Sequence, residues 1–350
     1  MAVLKYDTRL PPFPEGWYFL TDRKTVTAKK LIERTWMGEE IVIWCDADGN
    51  ICVADAFCPH LGSHLGPRAG GKVRDGCLVC PFHGFEFDAS GNCVATPFAP
   101  PPPNARLKLY EIREIAGMIF AWWGHEGRPP QWHMPDVPQG PEWCGIGYRR
   151  FRFRGHPQET AENSVDIAHL RYVHDYDNVY PIGEVEVDGA YLLSKFHFTR
   201  NRRIANIWKM MNDVDAVTHV YGVGYSFVEV HENTIEMDLR LWVLATPIDG
   251  REIYLTLACQ VRELRRPKRF FMGARFLPLR WRAPVINQFM LTNQKLDVAQ
   301  DEKIWSRKRY RKRPVLSRSD GEIGLYRRWC RQFYPETEAS ETRGSGLHGR

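Results

Sequence analysis

Four side chains in the first quarter of the sequence are of types that bind metals. Cys58-Pro59-His60 is followed, after 19 residues, by Cys80-Pro81-Phe82-His83, and the stretch between carries Gly62, Gly66, Gly70, Gly71 and Gly76. Two thiolates and two imidazoles on glycine-rich loops can close round a metal from opposite sides, and a structural zinc site is the plainest reading of such a set. Zinc fingers place cysteines together and histidines together, whereas each pair here is mixed. The mixed order suits an iron–sulfur centre in which one iron takes two Cys and the other two His, each loop serving both irons. A second set lies in Glu162-Asn163-Ser164-Val165-Asp166-Ile167-Ala168-His169-Leu170-Arg171-Tyr172-Val173-His174. Histidines five apart sit about 140° round an ideal helix, so His169 and His174 converge only if the helix ends or bulges near Tyr172-Val173. Two such histidines with one carboxylate would hold an Fe(II) that keeps open positions. Downstream candidates for the carboxylate are Asp297, Asp301 and Glu302. Asp297 and Asp301 share a helix face, so periodicity does not separate them. Asp166 lies on the His169 side of a helix; its plainer role is a first-turn carboxylate favoured by the helix dipole.

Cys58-Pro-His60-Leu-Gly62 and Cys80-Pro-Phe-His83-Gly84-Phe85 resemble the two boxes of Rieske proteins. With Asp-x-x-His-x-x-x-x-His downstream, the chain resembles the large subunit of Rieske non-haem iron oxygenases over about residues 14–336. The resemblance implies a [2Fe–2S] cluster on Cys58, His60, Cys80 and His83, and a mononuclear Fe(II) on His169 and His174. Gln300-Asp301-Glu302-Lys303-Ile304-Trp305 resembles the family's late Asp-x-x-Ile-Trp pattern, which selects Asp301 as the third ligand. Asp166 would bridge toward a Rieske histidine of the neighbouring subunit in a homotrimeric ring. The pattern gives no ligand role to His64, Cys77 or Cys93, and the two cysteines are expected to be small buried hydrophobes.

These residues need two scaffolds. Residues 16–125 read as short strands and turns: Ile41–Trp44 and Ile51–Ala54 flank Asp46-Ala47-Asp48-Gly49-Asn50, a hairpin signal, and Gly117–Gly124 reads as a buried closing strand. Pro100 to Pro103 cannot donate to a ladder and make a rigid surface loop. A Pro- and Gly-rich stretch from Glu126 to Gly147 marks the boundary. Beyond it, helical segments over about 159–174 and 286–311 bracket strands with alternate apolar positions, as in Ile235–Leu241 and Ile253–Cys259. The expected fold is α+β. An N-terminal extension (1–15) comes first and a disordered tail (337–350) last; between them the resemblance implies an all-β Rieske domain (16–125) and a helix-grip, START-like catalytic domain (126–336).

The 350 residues suffice for a buried core, and 48 Lys+Arg against 42 Asp+Glu leave a net charge of only +6. No nucleic-acid-reading motif accompanies that charge, so no nucleic-acid partner is expected. Nine cysteines without a scaffold spacing, no apolar leader and no long apolar run point to a cytoplasmic protein with reduced thiols. The C-terminal pattern from Trp305 to Pro335 resembles the sterol-oxidising branch, with its 3-ketosteroid 9α-hydroxylases and cholesterol 7-desaturases. That branch implies a terminal oxygenase using O₂ to hydroxylate or desaturate a bulky hydrophobic sterol or steroid. Gly344-Ser-Gly346-Leu-His-Gly349 lacks the strand and helix of a dinucleotide site, so electrons must come from a separate NAD(P)H-dependent reductase, with or without a ferredoxin. Residues 265–282 mix bulky apolar and basic side chains and could rest on the inner membrane surface. Competing readings are a Rieske aromatic-ring oxygenase or demethylase, an electron-transfer protein with a non-catalytic second domain, and a zinc-containing or sterol-binding structural protein.

Overall fold

The computed structural model describes residues 10–204, 208–265 and 276–334. The chain divides into two compact units, one holding Trp17–Pro138 with Thr246–Gly250, the other the residues up to Gly16, Gln139–Ala245 and the residues from Arg251 onward.

The first unit is built from small sheets. β1 (Gly16–Asp22) leads into α1 (Arg23–Lys29), whose first turn is capped by Asp22 accepting from the Thr25 amide at 3.0 Å. β2 (Leu31–Trp36), β3 (Glu39–Cys45) and β4 (Ile51–Asp55) form one antiparallel sheet in which Trp44 faces Cys52 across the expected hairpin. β5 (Lys72–Arg74), β6 (Cys77–Val79), β7 (Glu86–Phe87) and β8 (Cys93–Ala95) form a second, and β9 (Ile112–Ile115) and β10 (Met118–Trp123) join β1 in a third. Val42, Trp44, Leu65, Leu78 and Phe87 make the core between the first two sheets, together with Cys58 and Cys80. The Thr246–Gly250 segment belongs to this unit through three hydrogen bonds. The Thr246 hydroxyl donates to the Phe19 carbonyl at 2.9 Å, the Met37 amide to Pro247 at 3.2 Å and the Gly38 amide to Ile248 at 2.7 Å.

The second unit wraps one large sheet round one long helix. β11 (Gly147–Arg154) is followed by α2 (Pro157–Ala161), α3 (Ile167–Tyr172), β12 (Tyr176–Pro181), β13 (Glu186–Asp188) and β14 (Tyr191–Ile204). Then come β15 (Trp208–Tyr221), β16 (Tyr225–Glu232), β17 (Met237–Pro247), β18 (Glu252–Val261), α4 (Leu279–Trp305) and α5 (Ile323–Cys330). The strand order is β11-β18-β17-β16-β15-β14-β12, with β13 also on β14. Leu255, Leu257, Cys259 and Val261 of β18 pack against Ile286, Leu291, Val298 and Trp305 of α4. A side chain at Gly147 would stand 2.6 Å from Leu291 Cδ1, so the glycine lets β11 and α4 approach closely. This is the expected α+β architecture: a β-rich first unit, then a mainly antiparallel sheet gripping a helix.

Two elements differ from their sequence expectation. The helical segment over 159–174 is broken: a 3₁₀ turn, Glu162–Ser164, follows α2, and α3 starts afresh with Asp166 as its N-cap. The Asp166 carboxylate accepts from the His169 amide at 3.2 Å, which stabilises a new helix start more than continuation. The late helix begins at Leu279, earlier than expected, and runs through Pro284. So near the start, a missing N–H frees only a first-turn carbonyl, and burial of Ile286 and Leu291 offsets that loss. Among the described residues no helix is long and apolar enough to cross a membrane. Residues 266–275 of the basic–apolar stretch and the expected tail at 337–350 lie outside the described residues.

Candidate metal centres

The two cysteine–histidine boxes fold into matching turns. In one, the Gly62 amide donates to the Cys58 carbonyl at 2.9 Å and the Cys58 amide to Ser63 at 2.9 Å; in the other, Gly84 donates to Cys80 at 3.1 Å and Cys80 to Phe85 at 2.8 Å. Each turn needs a left-handed residue at the same place, and Gly62 (φ 72°) and Gly84 (φ 67°) supply it. Both thiols are buried, His83 is half-buried and His60 is exposed, with the two imidazole centroids 4.9 Å apart and His60 stacked on Phe85 at 4.5 Å. Burial pushes the Cys58 thiol well above its ordinary pKa, with the Cys80 thiol beside it. A thiol pair so placed ionises only against a strong cation, as iron supplies on ligation. The donor set, two buried sulfurs and two outer imidazoles, therefore fits a cluster with one Cys₂ iron and one His₂ iron. His64 is otherwise engaged, its Nδ1 accepting from the Gly66 amide at 3.0 Å and its Nε2 facing Glu40 at 3.5 Å. Cys77 and Cys93 are half-buried at strand ends, because β6 and β8 are too short to cover them fully.

In the second unit His169, His174 and Asp301 each bring one ligand atom to within 4.8 Å of the others. α3 stops at Tyr172 with Val173 as its cap, so the chain leaves the helix at His174, and Asp175 just beyond takes a left-handed φ of 55°. The imidazole centroids are 5.4 Å apart. Each Nδ1 already has an oxygen partner: the Asp166 carbonyl for His169, and Gln300 Oε1 at 2.9 Å for His174. That contact fixes the tautomer that leaves His174 Nε2 facing Asp301 Oδ2 at 3.4 Å. Burial disfavours the His174 imidazolium, but the hydrogen bond to Asp301 and its charge prevail and its pKa stands above the ordinary value; burial lowers that of His169. Two imidazoles and a carboxylate with ligand atoms this close fit a mononuclear iron with open positions.

Asp297, which periodicity could not distinguish from Asp301, has different partners. Its carboxylate accepts from the Tyr176 hydroxyl at 3.2 Å and pairs with the Arg200 guanidinium, which lies 5.1 Å from the Tyr176 ring centre. Glu302 is not part of the three-residue group. Sequence reasoning also missed the anchor behind the histidine segment. Glu162 binds Arg327 through two hydrogen bonds, Lys308 stands 3.5 Å from Glu159 and 3.6 Å from Glu162, and the Tyr326 hydroxyl donates to Gln158 at 2.8 Å. Only the Glu162-Asn163 start of the motif hinted at it.

Beside this group lies a cavity of about 710 Å³. Its wall includes Tyr176, Asp297 and Gln300, and elsewhere Phe198, Val230 and Leu241.

Comparison with known proteins gives the family. Residues 16–111 match the Rieske [2Fe–2S] domain, and residues 121–334 match the 3-ketosteroid 9α-hydroxylase C-terminal domain. The chain belongs to this 3-ketosteroid 9α-hydroxylase family. It is similar to a cholesterol 7-desaturase of Ciona intestinalis, 29% identical over 93% of this chain and 70% of the relative. It is also similar to the oxygenase component of 3-ketosteroid-9-alpha-monooxygenase of Rhodococcus rhodochrous, 26% identical over 92% of this chain and 83% of the relative. Its fold matches that of dicamba monooxygenase bound to 3,6-dichlorosalicylic acid, with a TM-score of 0.70 at 18% identity over 93% of this chain and 98% of that one. This member of the 3-ketosteroid 9α-hydroxylase family is thus an oxidoreductase, the terminal component of a Rieske oxygenase. Its cofactors are a Rieske [2Fe–2S] cluster and a mononuclear iron, and as a terminal component it works with O₂ and a separate electron donor.

Proposed function

We propose that the substrate is a sterol or steroid, hydroxylated or desaturated at an unactivated C–H bond. The observation that carries this reading is the 710 Å³ cavity, largely apolar, sharing Tyr176 and Gln300 with the surroundings of the His/Asp group. Its size and lining suit a bulky apolar ligand, and the relatives' names, cholesterol 7-desaturase and 3-ketosteroid-9-alpha-monooxygenase, supply the class.

In this reading the Rieske domain, residues 16–125, holds the cluster on Cys58, His60, Cys80 and His83. The catalytic domain, residues 126–336, holds the mononuclear iron on His169, His174 and Asp301. When bound, that iron supplies open positions at which O₂ is activated. The protein's own part is positioning and exclusion of water. Gln300 and the Asp166 carbonyl hold the two imidazoles, the paired Arg200 and Asp297 close a polar edge of the cavity, and its apolar wall keeps bulk water from the reacting carbon.

Asp166 links the iron to the cluster of the next subunit, in a head-to-tail ring of three. The reductase, with or without ferredoxin, is a separate NAD(P)H-dependent protein. Peripheral contact with the inner membrane surface is supported by exposed Phe276, Leu279 and Trp281. Substrate-dependent O₂ uptake with a surrogate reductase, across sterols, steroids and aromatic acids, tests the reading. Uptake confined to the aromatic acids would overturn it.

A further inference from the structure

The wall of the cavity is apolar at Phe198, Val214, Val230, Leu239, Leu241 and Phe289. Such a wall holds a flat polycycle by buried area and discriminates poorly among its orientations, since hydrophobic attraction has no direction. Orientation requires a polar group that the protein has not already used. Arg200 pairs with Asp297 through Nη2, while its unpartnered Nε is shut off from the surface, and Asp297 also accepts from Tyr176. Glu232 accepts from Asn212 Nδ2 at 3.0 Å and from the Ile235 amide at 2.7 Å. Asn293 donates to the Phe289 carbonyl at 3.1 Å, and Gln300 is held by His174 at 2.9 Å. Lys303, also in the lining, is exposed, so its ammonium is hydrated. Gln294 differs from all of these. It is half-buried, lines the cavity and makes no side-chain hydrogen bond among the described residues.

Gln294 also occupies a telling place on α4. It precedes Asp301 by seven residues, two turns, so both side chains leave nearly the same face of the helix, about 10 Å apart along its axis. We propose that Gln294 orients the substrate, its carboxamide hydrogen-bonding a hydroxyl or carbonyl oxygen on an otherwise apolar ring system. This rests on the reading of His169, His174 and Asp301 as the iron site. A carboxamide presents both an acceptor and donors, so it serves an alcohol and a ketone alike. The spacing makes the helix a ruler: the oxygen at Gln294 and the carbon beside Asp301 must be several bonds apart on one rigid frame. A short or flexible ligand cannot satisfy both ends at once.

The test is equilibrium dialysis with both metal centres loaded and O₂ excluded, using a steroid ketone, the corresponding alcohol and the parent hydrocarbon. The unaltered enzyme should bind ketone and alcohol about fivefold more tightly than the hydrocarbon, the value of one net hydrogen bond. Gln294→Leu should erase that preference and keep the hydrocarbon affinity within about twofold, and in turnover it should oxidise the ketone at more than one carbon. Gln294→Glu, whose carboxylate accepts but does not donate, should retain the alcohol and lose the ketone. A preference that persists in Gln294→Leu, or an unchanged ketone-to-alcohol ratio in Gln294→Glu, overturns the assignment. Failure of the unaltered enzyme to bind any of the three overturns the steroid reading itself.

Discussion

Asp297 and Asp301, one helical turn apart, divide two tasks that their spacing alone cannot assign. Asp301→Ala, like His169→Ala or His174→Ala, should abolish mononuclear iron, measured by metal analysis, while the visible spectrum of the cluster stays intact. Asp297→Ala strips the partner from a mostly buried guanidinium, which costs about 3 kcal/mol. It should therefore lower the urea midpoint yet still load iron; loss of iron from this variant and retention by Asp301→Ala would reverse the assignment. Cys58→Ser or Cys80→Ser should bleach the visible spectrum, each removing one thiolate bond to iron. The motif spacing marks the two boxes and both histidines as candidate ligands. It could not separate the two aspartates, because what separates them is Arg200 and Tyr176, about a hundred positions away in the chain and brought in by the sheet.

Backbone turns, more than helices, position the ligands. The convergence of His169 and His174 required a helix end near Tyr172-Val173, and α3 ends there; the second break, at Val165-Asp166, was not legible because an Asp within an apolar period reads equally as cap or surface. The matched glycines give a graded expectation. Gly62→Ala meets only the left-handed penalty, about 1–2 kcal/mol, since nothing lies within 4 Å of a new Cβ. Gly84→Ala adds a contact of 2.8 Å with Pro97 Cγ, so its cluster should bleach at a lower temperature than that of Gly62→Ala in a thermal scan followed in the visible. On α4, Leu291 is fully buried, and Leu291→Ala should cost about 2–5 kcal/mol in urea unfolding. Pro284 misleads when the helix is read from propensity, because a proline in the opening turns forfeits one bond and burial of neighbouring side chains compensates.

Transfer of electrons between chains is best examined by complementation. With the proposed ring assembly, a His60→Ala chain without a working cluster and a His169→Ala chain without mononuclear iron should each be inactive, and mixed rings should regain part of the turnover. No recovery, in samples shown by mass spectrometry to have exchanged subunits, would exclude transfer between chains. The allocation of Thr246–Gly250 bears on how far the molecule can be taken apart. Those five residues run from the end of β17 into the turn before β18, yet they satisfy the Phe19 carbonyl and the Met37 and Gly38 amides. A polypeptide ending at Pro138 would lack them and leave three polar backbone groups without their partners, each worth about 1 kcal/mol or more. Such a fragment should melt well below the intact chain and regain stability when a peptide spanning 244–252 is added. Cutting the chain near Pro138 should likewise release no separate halves. The protein is thus a poor source of interchangeable parts: grafting its electron-carrying end onto another oxygenase would mean transplanting two stretches of sequence together, and recombination at a single crossover would break it.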